Sequence, residues 1–204
     1  MKIAIIDYEA GNLRNVERAA QRAGLDVIIT RNPEEIRAAK AIILPGVGAM
    51  KDAMDHLNGF GLTTLLQEEV KKGKKLMGIC LGMQALYDVS EEGGEVPALG
   101  LLAGRIAHFP EGALKIPHMG WNELEIRRDH PVLEGLPSHS YVYFVHSYYK
   151  IPADTDDIIA TANYGVSVPA VVGRENVLGF QFHPEKSGEV GRQIWKNTAK
   201  WLEL

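Results

Sequence analysis

The feature that most constrains the fold is an alternation along residues 2–89, where short apolar runs take turns with amphipathic stretches. Residues 2–7, 25–30, 41–44 and 75–79 are dense in Ile, Val, Leu and Ala and predict strands. Between them, residues 13–23 set Leu13, Val16, Ala19, Ala20 and Ala23 on one helical face, with Asn12 at the capping position and Gly24 as the stop. Asn32-Pro33-Glu34-Glu35 combines an N-cap, a first-turn proline and two acids, which starts a helix well. Residues 49–72 predict one or two helices interrupted at Gly59-Phe60-Gly61, and residues 81–89 predict another. Strands this uniformly apolar are buried on both faces, as in a parallel sheet covered by helices on either side.

The second half changes character. Residues 100–109, 121–126, 141–149, 157–162 and 168–182 predict strands and hairpins, with Arg174-Glu175-Asn176 as one turn. A last helix over residues 188–204 places Val190, Ile194, Trp195, Thr198 and Trp201 near one face. No linker rich in Gly, Ser or Pro and no repeat divides the chain. The expectation is a single α/β domain over residues 1–204, with a mostly parallel central sheet flanked by helices and antiparallel strands and hairpins in the C-terminal half.

Composition removes several function classes. The net charge is −4, from 22 basic and 26 acidic residues, and no basic stripe appears, so nucleic acid is not an expected partner. No apolar run approaches the roughly 18 residues of a membrane helix. The N-terminal run meets Asp7 too soon for a secretory signal, so the expected location is the cytoplasm. One cysteine leaves no internal disulfide and no multi-cysteine metal centre, and without an H-E-x-x-H motif neither metal nor cofactor is expected. Gly46-Val47-Gly48 is not a dinucleotide fingerprint, because Lys51 stands where its third glycine belongs. Gly73-Lys74 is not a phosphate-binding loop, because Glu68 replaces the first glycine.

The single cysteine is itself the sharpest signal. Gly78-Ile79-Cys80-Leu81-Gly82 follows a predicted strand and precedes a predicted helix, the spacing of a nucleophile elbow with sulfur in place of a serine hydroxyl. Such a turn lifts the nucleophile to the C-terminal edge of the sheet, where open α/β sheets place their sites. The helix start favours a thiolate, and the Leu81 N–H could serve as an oxyanion donor. A lone cysteine at a strand end is equally at home as a small core residue. A base for it is offered by His183-Pro184-Glu185, where a bend at the proline would let the carboxylate hold the imidazole. Taken singly, that fragment also reads as a loop histidine beside a solvated acid. Pro45-Gly46-Val47-Gly48 could be an ordinary turn or a second place where backbone N–H groups approach a ligand oxygen.

Taken together, Gly78-Ile79-Cys80-Leu81-Gly82-Met83-Gln84 and His183-Pro184-Glu185 resemble the class I (triad-type) glutamine amidotransferases, and the resemblance spans essentially the whole chain. Other segments are similar to one branch of that family, the glutaminase subunits of imidazole glycerol phosphate synthase in histidine biosynthesis. They are Ile6–Asn15, Leu44-Pro45-Gly46-Val47-Gly48, Pro117-His118-Met119-Gly120-Trp121-Asn122, Phe144-Val145-His146-Ser147-Tyr148-Tyr149 and Phe182–Ser187. Glu9-Ala10 departs from the branch, which commonly has Gly followed by a small residue or Met.

The resemblance implies that Cys80 attacks the side-chain amide of glutamine, that His183 protonates the leaving ammonia, and that Glu185 orients His183. It implies an oxyanion hole from Leu81 and the Val47-Gly48 strand, and glutamine binding by Gly46, Gly48, Gln84, Glu92, Ser147 and Tyr148. It places Asn12, Asn15, His118, Met119, Trp121 and Lys186 at a partner interface or relay. That partner would be the cyclase subunit of imidazole glycerol phosphate synthase, a (β/α)₈ barrel, in a heterodimer. Each residue also has a plainer reading: Gln84 as surface polarity, Tyr148 as sheet packing, Glu92 as loop solvation, Asn12 as a cap. Other readings stay open at this point: an amidotransferase serving a pyridoxal, anthranilate or guanylate pathway, a stand-alone cysteine hydrolase, or a flavodoxin-like binding module with an unreactive Cys80. The Pro117–Asn122 segment speaks against the first of these. The last lacks a cluster of acids beyond Asp7 and Glu9 near the first strand.

Overall fold

In the computed structural model of the protein, which describes residues 2–112, 114–151 and 155–203, the four early apolar runs become strands and the amphipathic stretches become helices. The order is β1 (Ile3–Ile6), α1 (Leu13–Arg22), β2 (Val27–Thr30), α2 (Pro33–Ala38), β3 (Ala41–Gly46), α3 (Met50–Gly59), α4 (Leu62–Lys71), β4 (Lys75–Cys80) and α5 (Leu81–Gln84). Then come β5 (Val89–Ser90), β6 (Val96–Pro97), β7 (Arg105–His108), β8 (His118–Glu123), β9 (Glu125–Ile126), β10 (Tyr141–His146), β11 (Tyr148–Lys150), β12 (Ile158–Asn163), β13 (Ser167–Arg174), β14 (Val177–Phe180) and α6 (Gly188–Glu203).

The main sheet runs β2-β1-β3-β4-β14-β13-β12-β9. Its first five strands are parallel neighbours, and β13, β12 and β9 continue it antiparallel. Period-two alternation divides the core between the two faces of the sheet. Ile3, Ile5, Ile43, Met77 and Ile79 pack with α1 and α6, whereas Ala4, Ile6, Ile42, Leu44 and Leu76 pack with α2, α3 and α4. Each such Ile or Leu contributes about 1.5–3 kcal/mol by leaving water. Because β2 lies on one side of β1 and β3 on the other, the chain reverses direction across the sheet there, and a crevice opens beyond the carboxyl ends of these strands. Among the described residues no helix is long and apolar enough to cross a membrane.

Two small sheets complete the fold. β10 pairs with β8, and β11-β7-β5-β6 forms the other. The sequence predicts one strand over residues 141–149. The structure breaks it at Ser147, so that β10 and β11 join different sheets and the break itself faces the crevice.

Two other expectations need correction. The helix expected over residues 81–89 is a single turn, α5. The chain over residues 98–102 folds back and donates its N–H groups to the carbonyls of Ala85, Leu86, Tyr87 and Asp88, so these acceptors serve a loop instead of a helix. That return also shortens the strand expected over 100–109 to β7. Asn12 stands at the N-cap of α1 but its side chain makes no capping hydrogen bond; its carbonyl accepts from Asn15 and Val16. Asn32 does cap α2, its side chain accepting from the Glu34 N–H at 2.9 Å.

Candidate active site

Cys80 ends β4 with φ +54° and ψ −111°, a conformation costing a side-chain-bearing residue about 1–3 kcal/mol. The flanking glycines are required by contact. A Cβ on Gly82 would sit 1.9 Å from the Leu44 carbonyl oxygen, and one on Gly78 would sit 2.6 Å from the Gly82 carbonyl oxygen. Their bare backbones let α5 press onto β3 and β4 and hold the elbow. The sulfur is nearly buried, with the Val145 carbonyl oxygen at 3.9 Å and the Gln181 Nε2 at 4.0 Å.

His183 follows β14, and its N–H donates to the Tyr143 carbonyl at 3.0 Å. A 3₁₀ turn over Pro184–Lys186 brings Glu185 back under the imidazole, so that Nδ1 lies 2.7 Å from Glu185 Oε1 with both side chains buried. Ser187 ties this turn down: its hydroxyl donates to the His183 carbonyl at 2.7 Å and accepts from the Tyr143 N–H at 3.0 Å. A carboxylate can only accept, so Nδ1 carries the proton and Nε2 is the basic nitrogen. Nε2 is buried and has no hydrogen-bond partner among the described residues. Burial opposes a charged imidazole here, but the Cys80 sulfur and the Glu185 carboxylate outweigh it and raise the His183 pKa to about 9.

A cavity of about 320 Å³ opens over these groups, at the small end of the usual range for a ligand site. Cys80, His183, Leu81, Val47, Gly48, Gln84, Glu92, Ser147, Tyr148 and Lys186 line it, so ten residues expected from the sequence meet at one place, with Glu185 behind His183. Gln84 is buried, and its Nε2 donates to the Tyr148 carbonyl at 2.8 Å and to Gln181 Oε1 at 3.0 Å. Both amide hydrogens are thus committed, leaving its oxygen as the acceptor for a ligand. Glu92 Oε2 accepts from the Met50 N–H at the start of α3 at 3.0 Å, while burial pushes its carboxyl pKa up. Val47 and Gly48 lie past Gly46, the last residue of β3 paired with β4 and the register partner of Cys80.

The remaining expected residues fall elsewhere. Gly46 does not line the cavity; a Cβ there would meet Tyr8 Oη at 2.5 Å and the Gly82 N at 2.9 Å, so its role is to make room. His118 is 2% exposed and is therefore no surface residue. It stacks between Phe144 and Tyr164, because a neutral imidazole packs like any aromatic ring. Met119 and Trp121, its neighbours on β8, are 61% and 57% exposed. Asn12 and Asn15 lie at the start of α1, and a Cβ on the preceding Gly11 would come within 4 Å of the Gly46 and Val47 backbone. Glu9, the departure from the branch pattern, sits at φ +66°, where glycine fits without strain, and pairs with Arg31 at 2.9 Å. Sequence reasoning assigned nothing to Val145, His146 or Gln181. The signal was present for the last two, as polar residues at the buried ends of apolar strands.

The class-I glutamine amidotransferase family model matches residues 4–200. The imidazole glycerol phosphate synthase subunit HisH of Geobacillus sp. (strain WCH70) is 49% identical over 206 residues, covering 98% of this chain and 97% of that one. The subunit of the same name from Geobacillus kaustophilus (strain HTA426) is 50% identical over 200 residues, covering 96% and 94%. A crystal structure of a glutamine amidotransferase superposes with a TM-score of 0.79 at 21% identity, with 100% of each chain covered, which speaks to the fold. A cysteine elbow, a buried histidine–glutamate pair and a near-full-length match converge on one conclusion: the chain belongs to the class-I glutamine amidotransferase family.

Proposed function

We propose that the chain is the glutaminase subunit of imidazole glycerol phosphate synthase, acting through Cys80, His183 and Glu185. The observation that carries this reading is the strained Cys80 elbow sharing one cavity with a histidine whose far nitrogen is held by a buried carboxylate. His183 Nε2 takes up the Cys80 thiol proton as the sulfur attacks the side-chain carbonyl carbon of glutamine. The oxyanion that forms is met by the Leu81 N–H and, when it turns inward, by an N–H of the Val47-Gly48 segment. His183 gives its Nε2 proton to the leaving ammonia, and the C–N bond breaks to leave a γ-glutamyl thioester. Water then gives a proton to His183 and attacks the thioester, releasing glutamate and the free thiol. The Gln84 oxygen and the Glu92 carboxylate suit the α-ammonium group, and the Ser147-Tyr148 break suits the α-carboxylate.

Ammonia is mostly ammonium at neutral pH and then is no nucleophile, so its production must be tied to an acceptor. A cyclase partner with a (β/α)₈ barrel, forming a heterodimer with this chain, would take the ammonia and form imidazole glycerol phosphate and an aminoimidazole carboxamide ribotide. Exposed Met119 and Trp121 suit its docking surface. One oxyanion donor is worth about 2.7–4 kcal/mol, or 10²–10³-fold in rate, so a Val47-Gly48 peptide that turns inward only with a loaded partner would be a sufficient gate. The setting is the cytoplasm, with neither membrane nor nucleic acid involved, and residues 1–204 act as one amidotransferase domain. The test is product formation by the mixed subunits. With glutamine, Cys80→Ala should abolish product, while free ammonia should restore it. Product from glutamine in Cys80→Ala would sink the assignment.

A further inference from the structure

Two buried histidines outside the triad form a chain of hydrogen bonds whose direction is determined at both ends. His118 and His146 face each other across the β8/β10 ladder, with His118 Nδ1 3.0 Å from His146 Nε2. At one end stands Asn122. Its Oδ1 accepts from the Glu123 N–H at 2.8 Å, and its Nδ2 donates to the Asn163 carbonyl at 2.8 Å, which fixes the orientation of the amide. The second Nδ2 hydrogen then points to His118 Nε2 at 3.2 Å, so that nitrogen is an acceptor. His118 therefore carries its proton on Nδ1 and donates to His146 Nε2. At the other end His146 Nδ1 lies 2.8 Å from the Tyr148 carbonyl, which can only accept. Both ends demand the same answer: each imidazole is neutral with its proton on Nδ1. A proton added to either ring would set two donors face to face.

The chain does not stop at Tyr148. The same carbonyl accepts from Gln84 Nε2, whose other hydrogen goes to Gln181 Oε1, which turns the Gln181 Nε2 toward the Cys80 sulfur. We propose that His118 and His146 are positioning residues for glutamine, fixing the Ser147-Tyr148 break and the Gln84 side chain from β10 and from β8, the strand that also carries the exposed Met119 and Trp121. Among the described residues neither ring hydrogen-bonds Cys80 or His183, although His146 borders the same cavity, so their effect falls on glutamine binding and not on the chemical step. This rests on the glutaminase reading above, and part of the test is independent of it.

Long-range ¹H–¹⁵N correlation spectra of the wild-type chain at pH 7 should show both histidines as the Nδ1–H tautomer, the minor form of free imidazole. A proton on Nε2 of either ring would overturn the proposal whatever the enzyme's substrate. In the assembled enzyme, His118→Phe keeps the stacking and removes the donor. It should raise the KM for glutamine roughly tenfold with kcat within about threefold of wild type. His118→Asn places an amide N–H where Nδ1–H stands, and it should bring KM back to within about threefold of wild type. A wild-type KM in His118→Phe, equal defects in both variants, or a loss confined to kcat would each contradict the proposal. Absence of glutaminase activity in the wild type would instead sink the functional reading and leave the tautomer result standing.

Discussion

At the scale of single residues, Cys80 and its glycines illustrate how a site is built from what side chains are left out. Gly82 has no room for a methyl group against the Leu44 carbonyl, and backbone on both sides cannot yield cheaply. Gly82→Ala should cost about 2–4 kcal/mol in urea unfolding, through overpacking of the elbow. His183 makes a prediction in pH. Its pKa in the folded chain, about 9, lies above the roughly 6.5 of an unfolded histidine. The stability this supplies is full below about pH 6.5 and is lost as pH rises through about 9. Glu185→Gln removes one of the groups that hold the proton. It should shift the alkaline limb of kcat/KM to lower pH, lower the rate at least 10²-fold, and flatten the loss of stability between pH 7 and 9.5. A pH–rate profile and paired urea titrations check this, and unchanged alkaline limbs would contradict it.

Among the elements, α3 and the strand break at Ser147 do the positioning. The N-cap of α3, Ala49, offers no side-chain acceptor, and Glu92 supplies one from a distant loop while lining the cavity. Glu92→Ala should therefore cost about 1 kcal/mol of stability and also raise the KM for glutamine, two effects seldom joined in one residue. Denaturation and steady-state kinetics on the same preparation separate them. The same elements mark where the sequence stops being readable. β1 to β4, α2 and the elbow at Cys80 were legible because apolar runs, an Asn-Pro-Glu-Glu start and paired glycines are local signals. The one-turn α5 was not, because its carbonyls are taken by N–H groups of residues 98–102, a tertiary event without a local mark. The break at Ser147 escaped for a like reason: the aromatic run reads as one strand until β7 and β8 claim its two halves separately. The meeting of Cys80, His183 and Glu185 was legible from motif positions, whereas the burial of His118 and the spacing role of Gly46 depend on Tyr164, Phe144 and Tyr8 arriving from elsewhere.

For the whole molecule, the proposed function joins a glutaminase site at the carboxyl edge of the parallel strands to a partner that consumes ammonia. Trp121 and Met119 stand exposed on β8, and Trp121 stacks edge-on near Tyr143, with ring centroids 6.1 Å apart. Trp121→Ala should weaken the cyclase complex by about 2 kcal/mol or more while leaving the unfolding midpoint of the isolated chain within about 0.5 kcal/mol, as calorimetric titration and urea unfolding would show. Under the proposed function Cys80 hydrolyses glutamine at a useful rate only when a loaded partner is docked. Its most direct test is glutamate release from glutamine by the chain alone, with the cyclase, and with the cyclase carrying its nucleotide ligand, in wild type and Cys80→Ala. Rapid release is expected only in the last condition, by at least about 10²-fold over the chain alone, and none with Cys80→Ala. Equal, fast release by the isolated chain would contradict it.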